Sequence, residues 1–363
     1  MKKSVYKNGK NLRFGYTTGS CATAASKAAA YMLVHKKDIT TVDIMTPKGW
    51  PLKLSVVDIN RSDNYVSCGI IKDSGDDPDI TNGMTIYAKV SFSDEYLLTN
   101  GVGVGTVTKK GLSVPVGQAA INPVPRQMIK EHINEITNRP IHIEIYAPEG
   151  VELAKKTFNP RLGIVGGLSI IGTTGIVEPM SEEAFKDSLE IELGMIEEDS
   201  LVLTPGNYGR DYCLDHGVSE NRILKISNFV GYMFDRAVEQ KKKKVLFAGH
   251  IGKLIKVAGG IFHTHSRVSD ARMDLLVSHM VACDVDYKHL KHVLDCNTTE
   301  EAVNYLVEEK IEEVFDLIVC HIKERLEKYT FDAIEVEVLL FSMDQGLLAQ
   351  TSGVNKMMET FHE

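Results

Sequence analysis

The distribution of proline constrains the fold of this chain more than any other feature of its sequence. All eleven prolines of the 363 residues lie at or before Pro205, and the last 158 residues contain none. Proline inside a helix removes a hydrogen bond and clashes with the preceding turn, so a long proline-free region can hold uninterrupted helices. Together with the length, this predicts two domains, 1–160 and 161–363.

Hydrophobic periodicity predicts different structure in the two parts. The first part reads as α+β, with helices at 20–34 and 127–136 and strands at 41–45, 52–58, 65–71, 85–92 and 141–146. In the second part, short apolar strands at 201–203, 222–226 and 245–248 alternate with helices at 210–216, 230–240 and 251–257. Helices at 181–193, 269–282, 300–309 and 314–329 and a strand pair at 334–341 and 346–351 complete it. The alternation predicts a parallel, doubly wound α/β sheet.

Charge and composition narrow the class of function. The net charge is −8, which argues against a nucleic-acid-binding protein. Residues 1–150 carry +4 and residues 151–363 carry −12, but the segment 250–273 is locally basic and rich in histidine. No apolar region follows the basic start, so a secretory signal is not expected. The sequence also has no apolar stretch long enough to span a membrane and no CxxC pair, so we expect a soluble cytoplasmic enzyme with an anionic ligand.

Two glycine-rich segments suggest ligand binding in the first 180 residues. The loop 15–21 precedes an alanine-rich helix and offers free N–H groups and hydroxyls to an anion, although its spacing alone favours an ordinary helix cap. The segment 163–179 combines paired glycines with Glu178, which suits close approach of a ligand or close packing. The run 101–106 lacks the third glycine of a dinucleotide turn, and a glycine-rich turn or hairpin is favoured there.

Two further loops follow predicted parallel strands. Residues 204–211 and 250–253 each come directly after a strand and before a helix. Because ligands bind outside the carboxyl ends of strands in open α/β sheets, the two loops predict a crevice at one sheet edge.

A histidine cluster leaves a metal site open as an alternative. His263 and His265 would face the same side of an extended segment, and Asp270 or Asp274 could complete a zinc site. This spacing is compatible with a zinc-dependent hydrolase, but no strong metal-binding motif is present. A hydrogen-bonded histidine is the simpler explanation.

Four segments taken together resemble one family. LRFGYTTGSCATAASKAA (12–29), GGLSIIGTTGIVEPMSEEA (166–184), TPGNYGRD (204–211) and GHIGKLIKVAGGIFHTHSRVSDARMD (249–274) are similar, in this order, to the CbiD family of cobalt-precorrin-5B C1-methyltransferases of anaerobic cobalamin biosynthesis. The resemblance implies an N-terminal α+β domain like ribosomal S5 domain 2 and a C-terminal Rossmann-like α/β domain. It also implies methylation of C1 of cobalt-precorrin-5B by S-adenosylmethionine, giving cobalt-precorrin-6A. A non-catalytic tetrapyrrole carrier is a further alternative.

That chemistry suggests roles for particular residues. The macrocycle carries many carboxylates, so its binding is expected from Thr17, Thr18, Ser20, Arg210, Lys253, Arg267 and Arg272. The expected S-adenosylmethionine residues are Gly166, Gly167, Thr173, Thr174, Glu178, Gly206 and Asn207. His250 or His265 would act as a base if the reaction needs one. No protein-bound metal is expected, because cobalt arrives with the substrate. The acidic residues Glu300, Glu301, Glu308, Glu309, Glu312 and Glu313 are expected on a solvated helical surface away from the site.

Overall fold

The chain forms two compact units, Met1–Glu182 and Glu183–Glu363, in a computed structural model that describes residues 3–7, 9–157, 159–160 and 162–361. Residues 161–182, which the sequence analysis assigned to the second domain, therefore belong to the first unit. The reason is strand pairing, because β13, β14 and β15 (Ile164–Val165, Gly167–Leu168 and Ile176–Val177) all pair with earlier strands of that unit.

Besides β13, β14 and β15, the described residues of the first unit form three helices and twelve strands. The helices are α1 (Thr18–His35), α2 (Pro123–Asn134) and α3 (Gly150–Ala154). The strands before β13 are β1 (Ser4–Lys7), β2 (Lys10–Arg13), β3 (Gly15–Tyr16), β4 (Thr41–Met45), β5 (Pro51–Ser55), β6 (Val57–Arg61), β7 (Tyr65–Ile71), β8 (Thr85–Phe92), β9 (Leu97–Asn100), β10 (Gly103–Val104), β11 (Thr106–Val107) and β12 (Ile141–Tyr146).

Helix α1 forms the centre of this unit. It packs on β7 and β8 of a five-stranded sheet with the order β6-β7-β8-β12-β9, and it also contacts α2. Its alanines, including Ala22, Ala25 and Ala29, are fully buried. Since an alanine side chain is a single methyl group, α1 can lie close to the sheet while burying apolar surface. This packing fixes the start of α1 within the unit.

The second unit is built on a five-stranded sheet. Its strands are β16 (Ser200–Thr204), β17 (Ile223–Lys225), β18 (Lys244–His250), β19 (Glu335–Ser342) and β20 (Gly346–Gln350). The helices are α4 (Glu182–Gly194), α5 (Asn207–Asp215), α6 (Val230–Glu239), α7 (Ile251–Ala258), α8 (Arg272–Ala282), α9 (Tyr287–Asp295), α10 (Thr299–Glu308), α11 (Glu313–Tyr329) and α12 (Val354–Glu359).

The sheet order is β17-β16-β18-β19-β20, with the first four strands parallel and β20 antiparallel. Leu203 and Phe247 pack on one face with α6, α7 and α11, whereas Val202 and Leu246 pack on the other with α5 and α12. The parallel sheet with helices on both faces agrees with the predicted alternation. The strand order reverses between β16 and β18, and ligands of such sheets bind at this switch point.

Most predicted elements agree with the structure within a few residues. The predicted strand 52–58 is divided into β5 and β6, and Asp58 has a positive φ of 51° at the irregularity. The hairpin β1–β2, strand β9 and helices α9 and α12 were not predicted. Among the described residues, no helix combines the length and the apolar character that crossing a membrane requires.

Candidate functional site

The start of α1 and the glycine-rich segment 166–179 lie together in the first unit. Strand β15 pairs antiparallel with β3, which leads into α1. The Thr17 backbone N–H donates to the Gly175 carbonyl at 3.2 Å, and the Gly19 N–H donates to the Ile171 carbonyl at 2.9 Å. Two segments 150 residues apart in the sequence therefore form one local structure.

The three hydroxyls at the start of α1 are used within the protein. Thr17 Oγ1 accepts from the Ser20 backbone N–H at 3.2 Å, and Ser20 Oγ donates to the Gly175 carbonyl at 2.6 Å. Thr18 Oγ1 accepts from the Ile171 N–H at 2.9 Å and donates to the Ile171 carbonyl at 3.2 Å. These side chains and N–H groups hold the glycine segment against α1, and binding of the macrocycle by Thr17, Thr18 and Ser20 stays a prediction.

Close packing requires glycine at some positions of this segment but not at others. An added Cβ at Gly167 would lie 2.2 Å from the Gly103 carbonyl carbon, and one at Gly172 would lie 2.3 Å from Thr17 Oγ1. Close packing therefore accounts for both, and it also accounts for the run 101–106, where β10 and β11 pair with β14 and β13 rather than forming a hairpin. Gly166 has a φ of +90° and no atom within 4 Å of an added Cβ. The residues of this segment that face solvent include Gly166, Ile171, Thr173 and Thr174.

Glu178 lies among cations and aromatic rings. Its carboxylate accepts from Lys7 Nζ at 2.9 Å and lies 3.9 Å from Lys48 Nζ. Lys48 Nζ is 4.9 Å from the centre of the Trp50 ring. These two lysines already occupy the Glu178 carboxylate, and no local sequence pattern predicts them because Lys7 and Lys48 are distant from Glu178 in the chain.

The second unit places the two predicted loops together at the switch point of its sheet. Lys253 Nζ donates to the Pro205 carbonyl at 2.9 Å, and Lys225 Nζ donates to Asn207 Oδ1 at 3.3 Å. Gly206 has no atom within 4 Å of an added Cβ, so the space beside it is open. The loops after β16 and β18, together with the end of β17, thus form a crevice edge with small residues and lysines.

His250 ends β18 and caps α7. Its Nδ1 accepts from the Gly252 backbone N–H at 3.0 Å, and its Nε2 lies 2.5 Å from Glu300 Oε1. The other Glu300 oxygen accepts from the backbone N–H groups of Met343 and Asp344 at 3.0 and 3.2 Å. Both nitrogens of His250 are therefore occupied, and Nε2 carries the proton in the neutral ring.

The expectation that Glu300 lies on a solvated surface away from the site is wrong. Its side chain is 20% exposed and joins α10 to the loop after β18 and to the β19–β20 turn. Glu300 and Glu301 lie together in the first turn of α10, and such a run of acidic residues is typical of a solvent-exposed helix.

The predicted cations of the second unit fall into two groups. Arg210 pairs with Asp211 and Glu220 at 2.9 Å each, and Arg272 pairs with Asp270 at 2.7 Å. Lys253 and the exposed Arg267 form no ion pair among the described residues. Burial, followed by the charges of Lys256 and Lys225, lowers the pKa of Lys253.

Lys256 strengthens this positive region. It is 2% exposed and its Nζ donates to the Thr264 carbonyl at 2.9 Å. Burial, followed by the Arg272 charge, lowers the pKa of Lys256. Lys256 belongs to the basic segment 250–273, but no role was expected of it or of Lys225.

The histidine cluster shows no metal-binding arrangement. The rings of His263 and His265 are 6.4 Å apart, and Asp270 is held by Arg272. His265 Nδ1 accepts from the Arg267 backbone N–H at 3.1 Å. In the described part of the chain, no three His, Cys, Asp or Glu side chains are grouped to hold a metal ion. The zinc hydrolase alternative therefore gains no support from the structure.

Comparisons with known proteins cover nearly the whole chain. Family models described as CbiD and as CbiD, C-terminal domain match residues 5–179 and 263–352. Proteins named cobalt-precorrin-5B C(1)-methyltransferase are 50% identical in Alkaliphilus metalliredigens, over 99% of this chain and 97% of theirs, and 47% identical in Thermoanaerobacter sp., over 96% and 98%. A crystal structure of a cobalamin biosynthesis protein (cbiD) from Archaeoglobus fulgidus, 26% identical over 73% of this chain and 86% of that one, has a TM-score of 0.39, too low to compare the folds. The chain belongs to the CbiD family.

Proposed function

We propose that this chain transfers the methyl group of S-adenosylmethionine to C1 of cobalt-precorrin-5B, giving cobalt-precorrin-6A in anaerobic cobalamin biosynthesis. The observation that carries the proposal is the 50% identity, over 99% of the chain, to a protein named for this reaction. We further propose that the two units correspond to the S5-like and Rossmann-like domains that the resemblance implies, and that the enzyme works in the cytoplasm.

The crevice at the switch point of the second unit suits the methyl donor. Gly206 leaves open space, and Asn207 and Lys225 lie beside it. Lys253 adds a cation that is held to a carbonyl and lacks a carboxylate among the described residues. A donor that carries a carboxylate would supply the missing negative charge in a partly desolvated place, where charge-assisted hydrogen bonds are strong.

The task left to the protein is positioning. S-adenosylmethionine supplies an activated methyl group on its sulfonium. The chain therefore has to hold donor and macrocycle in line and exclude water, and such orientation can lower a barrier by ~7–11 kcal/mol. His250 is tied to Glu300 and to the Gly252 N–H, so it is better placed to fix the crevice than to move a proton.

Gly206→Ala tests the placement of the donor. The added methyl group would lie in open space, and the backbone φ of −162° is one that alanine adopts without strain. The fold should therefore be unaffected while the ligand is obstructed. Titration calorimetry should show weaker binding of S-adenosylhomocysteine by this variant and unchanged binding by the control Gly194→Ala, where the nearest atoms are 3.8 Å away. Equal affinities in both variants would place the donor elsewhere. No binding by the unmodified chain, with or without macrocycle, would contradict the function itself.

A further inference from the structure

A cavity in the first unit contains two cations that have no partner carboxylate among the described residues. It has a volume of about 380 Å³, and its lining includes Arg126 and Lys130 from α2 together with Tyr96 and Gln118. Within the described part of the chain, no Asp or Glu lines it. Neither Arg126 nor Lys130 forms an ion pair within the described residues.

The Arg126 guanidinium is held rigidly. Its Nε donates to the Ile121 carbonyl at 2.7 Å and its Nη2 donates to the Ala119 carbonyl at 2.8 Å. These bonds fix the plane of the group and leave Nη1 for another acceptor. Burial lowers the pKa of Arg126, as expected for a cation that is partly removed from water without a counter-charge.

The apolar part of the cavity wall fits the methylene groups of a side chain that ends in a carboxylate. Lys130 lies one turn after Arg126 on α2, with its Nζ 6.0 Å from the centre of the Tyr96 ring. Leu98, Val114 and Pro115 supply apolar wall. A carboxylate on a short methylene chain would place its head at the two cations and its stem against these residues.

The cavity is next to the glycine segment of the same unit. An added Cβ at Gly19 would lie 2.7 Å from Pro125 Cγ of α2 and 3.0 Å from the Ile171 carbonyl oxygen. The Asn122 N–H donates to the Ile170 carbonyl at 3.0 Å. The start of α2, which also supplies Pro123 to the cavity lining, thus packs on both the start of α1 and the segment 166–179.

We infer that Arg126 and Lys130 bind a carboxylate side chain of the tetrapyrrole substrate. This inference rests on the proposed function, and it adds a substrate-binding cavity on α2 to the positions expected from the sequence. The observations that carry it are an unpaired, rigidly held guanidinium and a second cation one turn away in a cavity without acidic residues.

Binding of cobyrinic acid, a corrin with free carboxylates, and of its neutral heptamethyl ester tests this inference. Lys130→Glu changes an exposed side chain and should leave the fold intact, whereas Arg126→Gln also removes two carbonyl contacts. Each variant should bind cobyrinic acid about tenfold or more weakly, which is the usual effect of losing a charge-assisted hydrogen bond. The ester should bind equally to all variants.

Lys37→Glu is the matched control, because Lys37 is exposed and follows the other end of α1, about 27 Å from its start. It should leave both affinities unchanged, as should Lys130→Glu for S-adenosylhomocysteine. Unchanged affinity for cobyrinic acid in Lys130→Glu and Arg126→Gln would overturn the inference and leave the proposed function standing. Failure of the unmodified chain to bind both S-adenosylhomocysteine and cobyrinic acid would overturn both.

Discussion

Replacing Glu300 with Gln should destabilise the second unit. Glu300 accepts from His250 Nε2 through one oxygen and from the N–H groups of Met343 and Asp344 through the other. A carboxamide has one accepting oxygen and one donating nitrogen. Whichever way it is turned, its NH₂ group faces a donor, because Gly252 holds His250 in the tautomer that carries its proton on Nε2.

The size of the effect follows from these contacts. Hydrogen bonds to charged groups contribute ~1.5–3 kcal/mol, and the two side chains are 21% and 20% exposed, so solvent weakens the effect only in part. We expect a loss of ~2 kcal/mol in the free energy of unfolding. For a unit of this size, that corresponds to a fall of about 4–8 °C in melting temperature.

Thermal unfolding followed by circular dichroism measures this change, with Glu308→Gln as the control. Glu308 is exposed at the end of the same helix, and its replacement should alter the free energy of unfolding by less than ~0.5 kcal/mol. Nitrogen NMR of the histidine rings should show His250 protonated on Nε2 in the unmodified chain. Equal melting temperatures in the two variants, or His250 protonated on Nδ1, would refute the reasoning.

Two further predictions concern the lysine crevice and the glycine segment. Because burial lowers the pKa of Lys253, its charge is lost at a lower pH than that of an ordinary lysine. S-adenosylhomocysteine affinity should therefore fall as pH rises through that range and persist in Lys253→Arg, whereas identical pH profiles would exclude a role for this charge. Gly172→Ala should destabilise the first unit by more than Gly83→Ala, because both glycines have a positive φ but only an added Cβ at Gly172 would collide with Thr17. Unfolding followed by the fluorescence of Trp50, the single tryptophan, measures both losses of stability, and equal losses would show that packing at Gly172 is unimportant.

Local patterns in the sequence were sufficient to predict most elements and the crevice edge. The strands Tyr65–Ile71 and Thr85–Phe92 have the predicted bounds because alternation is a property of neighbouring residues. Helix α2 begins at Pro123, four residues before the prediction, because proline is tolerated in the first helical turn.

Partners distant in the sequence could not be predicted in the same way. The bond between His250 and Glu300 joins residues 50 positions apart, and the contact of Thr18 with Ile171 joins residues 153 apart. Such pairs depend on how helices and strands pack, which no local pattern records. The same limit explains why the sequence did not predict that the hydroxyls of α1 hold a neighbouring loop.

Incubation with cobalt-precorrin-5B and S-adenosylmethionine labelled in its methyl group tests the central claim most directly. The proposed function predicts a macrocycle heavier by one labelled methyl group, with the label at C1 in the carbon NMR spectrum and one S-adenosylhomocysteine formed for each product. Binding of the macrocycle with no gain of label would contradict catalysis and favour a tetrapyrrole carrier, and label at another carbon would contradict the assigned position.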